Sequence, residues 1–314
     1  MEPVRNMLIV NPAAGRANCL NAVKTQAEAW SGRTGREVEI FETARRGHAT
    51  AIAKQAAQSG VPAVLIACGG DGTLNEVVNG AKDAPHLAVG HCPYGTGNDF
   101  LRVFSGKTEN FKDIGALLDG TAMEMDLIDA GGRLCLNVCS MGFDARVPVA
   151  MHSFRKLGFM GPKIPYNLAI LHCLMKGVHE PYHLLVGGDE YIGNYTLICA
   201  MNGRYYGGGF NPVPEALPDD GLIDVLAVDA MTRMHFMRQV KIYASGRYRD
   251  LPLLIRHYRV PELEIAPERP GPVNYDGETG KSGRLRIRIL PRALKFMVPE
   301  GVYIQKFGDN RSNT

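Results

Sequence analysis

One carboxylate, Asp71, stands inside a run of glycines: Cys68-Gly69-Gly70-Asp71-Gly72-Thr73-Leu74-Asn75-Glu76-Val77-Val78-Asn79-Gly80. The apolar run Ala63 to Ala67 leads into it as a buried strand, and Leu74, Val77, Val78 and Ala81 follow at helical spacing. The stretch spells strand, glycine turn, helix. Glycines let a ligand approach the backbone, and a helix start aims unpaired N–H groups and a positive dipole end at the same spot, which suits phosphate. A carboxylate beside phosphate is repelled unless a cation lies between, so Asp71 implies a metal such as magnesium. No lysine occupies the Walker position, which excludes the P-loop of the common NTPases. The bland alternative is a tight connection, and Thr73 capping the helix with Glu76 reaching back to the cap would account for part of the spelling as local structure.

Three further acidic positions are candidates. Asp276-Gly277-Glu278 sits between expected strands and reads either as a plain hairpin turn or as the place of a proton acceptor, Glu278, for a hydroxyl that attacks a γ-phosphate if the chain folds it near the glycine turn. Asp99, in Pro93-Tyr94-Gly95-Thr96-Gly97-Asn98-Asp99-Phe100, either caps the helix after it or positions the base or metal. Asp219-Asp220-Gly221 resembles an oxygen-rich metal turn and equally a solvent-exposed bend. His48 is read as opening its helix. Seven cysteines, odd in number, scattered and without a Cys-x-x-Cys pair, read as buried thiols and exclude a disulfide framework or a zinc site.

These groups need a scaffold. Met7 to Val10 forms a first strand that breaks at Asn11-Pro12-Ala13-Ala14-Gly15, and Leu20, Val23, Ala27 and Trp30 share one face of the next helix. Val38 and Ile40 belong to a second strand ending near Thr43, Ala49, Ile52, Ala53 and Ala56 to a second helix, and Leu87 to Gly90 to a fourth strand. Loops after successive parallel strands gather at one sheet edge and can surround one nucleotide. After a helix near Phe111 to Leu118 the rhythm changes to strands and hairpins. Met151 to Gly177 reads as a loop and a helix whose apolar face packs in the core or faces lipid. The expected architecture is α/β plus β: a Rossmann-like nucleotide-binding domain over 1–122, with 291–314 packing back on it, and a β-sandwich over 123–290.

With 314 residues, 45% of them hydrophobic, the chain is long enough for two cores. No stretch approaches the roughly 20 apolar residues of a membrane span and no cleavage pattern opens the chain, so it is expected in the cytoplasm. A net charge of +3 does not argue for nucleic acid. One segment is nevertheless basic, with Arg233, Arg238, Lys241, Arg247, Arg249, Arg256 and Arg259, and reads as a solvated face or as a contact for an anionic membrane.

Taken together, the glycine-aspartate loop and the Asn11 to Gly15 turn resemble the diacylglycerol kinase catalytic-domain superfamily, whose loop is shared with NAD kinases and phosphofructokinases. Pro93, Gly95-Thr96, Asn98-Asp99-Phe100, Gly142-Phe143-Asp144-Ala145, Asn202-Gly203 with Gly207-Gly208-Gly209, Asp220-Gly221 and Asp276-Gly277-Glu278 also look like the soluble bacterial lipid kinases, in the family's order over nearly the whole chain. The resemblance implies ATP held by Asn11, Pro12, Ala13, Ala14, Gly15, Thr43, Gly70, Asp71, Gly72, Thr73, Leu74, Asn75, Glu76 and Thr96. It implies Glu278 as general base, Asp71 holding magnesium through water, and Asp99 supporting both. A structural magnesium would sit on Asp220 and the carbonyls of Leu217 and Leu222. The expected reaction is ATP- and magnesium-dependent phosphorylation of a lipid hydroxyl, diacylglycerol giving phosphatidic acid, by an enzyme that docks peripherally on a membrane; a homodimer is what the resemblance suggests. A sphingoid lipid or NAD as acceptor, or a nucleotide-binding regulator without turnover, are the alternatives.

Overall fold

Five of the six residues of β1 (Arg5–Val10) are buried, as expected of a strand covered on both faces. It is followed by α1 (Cys19–Thr34), β2 (Glu39–Glu42), α2 (His48–Ser59), β3 (Ala63–Gly69), α3 (Asp71–Gly80) and β4 (Leu87–Pro93). These belong to a computed structural model that describes residues 4–15, 19–155 and 163–307. The strands pair in parallel in the order β4, β3, β1, β2. Half-exposed β2 is the edge, tied down by Arg5, whose guanidinium donates twice to Glu39 at 2.7 Å. On α1 the buried face is Cys19, Val23, Ala27 and Trp30. Where α2 and α3 cross, a Cβ on Gly80 would stand 2.5 Å from the Thr50 carbonyl, so only glycine permits the approach.

The chain divides into two compact units, the first running to Leu127 and taking in Leu217–Asp220 and the chain from Pro291 on, the second made of Ile128–Ala216 and Gly221–Leu290. In the first, Phe296 pairs with Val89 of β4, and the rings of Phe100, Phe104, Phe111 and Phe296 form an aromatic cluster. The helix expected near Phe111 to Leu118 is a 3-10 turn, Thr108–Lys112, then Ile114–Leu118, because Asp113 breaks the run by capping it, accepting from the Ala116 N–H at 3.0 Å. Residues 308–314 lie outside the described part.

The second unit is antiparallel. The long strand Asp189–Met201 pairs through its first half with Glu180–Val186, and through its second half with both Val138–Gly142 and Ile223–Asp229, its register shifting between Tyr195 and Leu197. Such a shift bends a strand and lets it serve two sheets. Tyr195, Ile198, Ile265, Val273 and Ile287 pack into one core. Cys199, Leu226, Val228, Phe143, Phe236 and Tyr243 pack into a second, beneath the helices Phe143–Arg155, Lys163–Lys176 and Arg233–Ala244. The region read as one loop and one helix is therefore two helices, and Ala169, Cys173 and Leu174 turn its apolar face to the core. The sequence also carries the basic residues Arg155, Lys156 and Lys163, a second candidate contact for an anionic membrane, and residues 156–162 of that stretch lie outside the described residues.

Candidate active site

In the first unit the carboxyl ends of the strands are level: Val10 pairs with Glu42 and with Cys68, and Gly69 with Pro93. The four following loops therefore start from one line. Asn11 folds the first of them: its Oδ1 accepts from the Ala13 N–H at 3.1 Å, its carbonyl from Ala14 at 3.0 Å, and its Nδ2 donates to Thr73 Oγ1 at 3.3 Å. Thr43 joins by donating its N–H to the Val10 carbonyl at 2.8 Å. The Gly69 carbonyl accepts from the N–H groups of Tyr94 at 2.8 Å and Gly95 at 3.2 Å, and from buried His91 Nε2 at 3.1 Å.

The glycines serve these loops first. A Cβ on Gly95 would lie 2.5 Å from the Gly70 Cα, and one on Gly15, whose φ is +79°, would lie 2.9 Å from the Tyr94 carbonyl oxygen. The backbones of three loops thus touch one another around the start of α3, where Gly72 is exposed. Asp71 is held within this contact: its Oδ2 accepts the Asn98 N–H at 2.7 Å and its Oδ1 the Asp99 N–H at 2.6 Å. Asp99 supports Asp71 through its main chain, while its carboxylate turns to Arg102, 3.4 Å away, and does not cap the 3-10 turn Phe100–Val103 that follows. Packing of Phe100 against Phe296, with ring centroids 5.0 Å apart, anchors the loop beneath.

The capping box expected of Thr73 and Glu76 is not formed. The helix begins three residues earlier than that box requires, with Gly70 as its cap residue, so Glu76 lies beyond the reach of that cap. It caps the neighbouring helix instead, accepting from the N–H groups of Gly47 at 2.8 Å and Ala49 at 3.2 Å at the start of α2. His48 opens that helix, its Nδ1 accepting the Ala44 N–H at 3.0 Å. Leu74 is a core side chain whose N–H already donates to the Gly70 carbonyl at 3.2 Å, and Asn75 is buried, whereas Gly72 and Thr96 are exposed. All seven cysteines are buried free thiols, and burial pushes the Cys68 thiol well above its ordinary value, which makes it inert.

In the second unit Tyr275 pairs with Glu278 across a two-residue turn in which Asp276 and Gly277 have φ of +50° and +89°. Two left-handed residues are the mark of a tight hairpin. The Asp276 side chain faces the protein, accepting the N–H groups of Leu136 at 2.6 Å, Asn137 at 3.0 Å and Val138 at 2.8 Å. Asn202 closes the same segment from the other side, donating Nδ2 to the Leu136 carbonyl at 2.7 Å and its N–H to the Asn137 carbonyl at 2.8 Å. Asn274 Oδ1 accepts the Gly277 N–H at 2.7 Å, and its Nδ2 donates to Ser140 Oγ at 3.2 Å, which donates in turn to Asp144 at 2.6 Å. Burial raises the Asp144 carboxyl to about 6, against the Ser140 hydrogen bond that favours its ionised form. Glu278 itself is partly exposed, and Arg133, stacked 4.8 Å over the Tyr275 ring, stands 3.8 Å from its carboxylate. A half-open carboxylate on so fixed a hairpin can accept a proton.

Sequence reasoning missed Asn98 as the clamp on Asp71, and Arg133, Asn137, Ser140 and Asn274 around the hairpin. A single signal was present: among non-glycine residues Asn is one that readily takes a left-handed turn, and Asn98 precedes Asp99 in the loop. Among the described residues no three or more His, Cys, Asp or Glu side chains gather to hold a metal. The residues still fit a hydrated cation at Asp71, since each of its oxygens takes one amide and keeps an acceptor direction for a cation-bound water. Of the second expected metal set, Leu217 and Asp220 fall in the first unit and Leu222 in the second.

A parallel sheet with glycine loops at its carboxyl edge, joined in one chain to an antiparallel sandwich, defines a kinase of the diacylglycerol kinase type, and residues 5–130 match the diacylglycerol kinase catalytic domain while residues 137–298 match the YegS C-terminal NAD kinase beta sandwich-like domain. The chain belongs to the YegS-like lipid kinase family. It is 32% identical to a "Probable lipid kinase YegS-like" of Stenotrophomonas maltophilia over 87% of this chain and 90% of that one. It is 33% identical to a protein of the same description from Pseudomonas aeruginosa over 92% of each. A solved structure described as a diacylglycerol kinase from Bacillus anthracis superposes with a TM-score of 0.70 at 21% identity, covering 96% of this chain and 98% of that one, and shares the fold. Membership implies ATP as the phosphoryl donor.

Proposed function

We propose that this chain transfers the γ-phosphoryl group of ATP to the free hydroxyl of diacylglycerol, in the presence of magnesium, giving phosphatidic acid. The observation that carries the reading is the Asp71 carboxylate, clamped by the Asn98 and Asp99 amides at the head of α3. A helix start with glycine neighbours binds phosphate oxygens through main-chain N–H groups, and a carboxylate fixed beside it selects a nucleotide that arrives with a cation. Magnesium held through water at Asp71 would supply charge neutralisation of the developing phosphates.

Glu278 is the proposed base. Its carboxylate takes the proton of the acceptor hydroxyl as that oxygen forms its bond to phosphorus and the bond to the ADP oxygen breaks. Asp276, Asn274 and Arg133 fix its orientation, so little reorganisation accompanies the transfer.

The test is transfer of radiolabelled γ-phosphate to a panel of diacylglycerol, monoacylglycerol, a sphingoid base and NAD, with and without EDTA, by the wild type and by Asp71→Asn and Glu278→Gln. The reading requires metal-dependent label in the diacylglycerol product and a loss of about a hundredfold or more in either variant. Label only in NAD, or in no acceptor, sinks it.

A further inference from the structure

Neither the helix Lys163–Lys176 nor the helix Arg233–Ala244 contains an acidic residue. Both cover the same core of the second unit, the first through Ala169, Cys173 and Leu174, the second through Phe236 and Tyr243. Their outer faces are not polar in the usual way. Met175 is 71% exposed and Leu171 54%, one helical turn apart on the first helix, and Met234 is 65% and Met237 56% exposed on the second. Met234, Met237, Arg238 and Lys241 fall at spacings of three, four and seven residues, which places them on one stripe. The two helices meet where Arg233 donates to the Met175 carbonyl at 2.7 Å, and this bond brings Met175 beside the start of the second helix. Leu253, in the loop whose flanking Leu251 and Leu254 pack against the same core, is 91% exposed.

An outer face of flexible apolar side chains interleaved with cations, on two helices that carry no carboxylate, is matched by one kind of partner. Methionine and leucine insert into an acyl boundary, and lysine and arginine meet anionic head groups above it. A protein partner of ordinary composition would leave the cations without counter-charges in a buried interface, which is costly. We infer that the Leu171, Met175, Met234 and Met237 face, with Arg238 and Lys241, docks this chain on the surface of an anionic bilayer. The inference rests on the reading that the acceptor is a membrane lipid, and it adds which surface brings the chain to it.

Two variants test it: Met234→Ser/Met237→Ser and Arg238→Glu/Lys241→Glu, all four positions exposed and outside the proposed catalytic groups. Sedimentation with vesicles of phosphatidylcholine alone or mixed with phosphatidylglycerol reads docking without chemistry. Turnover of long-chain diacylglycerol in those vesicles, and of a short-chain diacylglycerol below its critical micelle concentration, reads chemistry with and without docking. The wild type is expected to bind only the mixed vesicles and to release with salt, and each variant to lose about tenfold or more in binding and in vesicle turnover while turning over the short-chain acceptor as before. Unchanged vesicle binding in both variants overturns the proposal. So does parallel loss of short-chain turnover, which assigns the face to folding, or a fall in the molar mass by light scattering, which assigns it to a second copy of the chain. A wild type that binds mixed vesicles through this face yet phosphorylates no lipid leaves the docking surface standing and removes the diacylglycerol reading instead.

Discussion

Asn98 donates its main-chain N–H to Asp71 Oδ2 at 2.7 Å from a left-handed backbone with φ of +48°. That conformation turns the Asn98 and Asp99 amides toward the same carboxylate, and the Asn98 Nδ2 locks it by donating to the Gly95 carbonyl at 2.8 Å. Left-handed backbone costs an alanine about 1 kcal/mol or more, while glycine takes it freely. Asn98→Gly therefore loses only the side-chain bond, and Asn98→Ala loses the bond and strains the turn. Phosphoryl transfer is expected to fall roughly tenfold in the glycine variant and further in the alanine variant, measured as kcat/KM for ATP. Equal activities would show that the left-handed turn does not set the Asp71 geometry.

Glu76 belongs to the motif and, in this structure, to a different helix. Its two bonds to Gly47 and Ala49 satisfy orphan N–H groups of α2 with a charged acceptor near the positive dipole end. Glu76→Ala is expected to lower stability by about 1 to 2 kcal/mol in denaturant titration and to leave the KM for ATP nearly unchanged. A large rise in that KM with unaltered stability would return Glu76 to the nucleotide.

His91 is expected to make the stability of the turn after β3 depend on pH. Because the Gly69 oxygen can only accept, the ring must carry its proton on Nε2, and Nδ1 is left in the interior with no partner among the described residues. Burial lowers the pKa of the ring, with the bond to Gly69 opposing. A base whose folded value lies below its unfolded value of about 6.5 binds more protons when unfolded, so stability is full above that pH and falls as the pH drops below it. Thermal melts at about pH 7.5 and about pH 5.5 should show a larger loss in the wild type than in His91→Leu. Identical losses would show that His91 does not carry the effect.

The parts of this architecture visible from residue types are those with a local cause. Apolar runs marked β1 and β3 because buried parallel strands need them, and Gly-Gly-Asp-Gly marked the turn into α3. Glu76 was misread because a capping box depends on where the helix begins, and the start at Asp71 is decided by contact with the loop around Gly95. Longer-range pairs left no trace at all. Asp276 meets Leu136, Asn137 and Val138 across some 140 positions, and nothing in the order of residues around either segment announces the other. The same holds for Arg133 beside Glu278. Local periodicity fixes which elements exist, whereas the site's supports depend on how strands pair.

Asp276 is the strongest of those supports. Three amides on one carboxylate are charge-assisted bonds of the stronger class, and losing the carboxylate leaves three donors at the Leu136 to Val138 segment unpaired. Asp276→Ala also places alanine at φ of +50°, an added cost of about 1 kcal/mol. It is expected to destabilise the second unit by about 3 kcal/mol or more and to lower kcat through movement of the hairpin that carries Glu278. Asp276→Asn keeps the turn and one acceptor oxygen, so its stability should fall between the two. Glu278→Gln, on the other hand, removes a partly exposed carboxylate whose Arg133 contact is long, and should melt within about 0.5 kcal/mol of the wild type while losing turnover. Chemical denaturation read beside kcat separates these roles. A stable, inactive Asp276→Ala would make Asp276 itself a participant in the reaction, and an unstable Glu278→Gln would make Glu278 a structural residue and leave the reaction without its base.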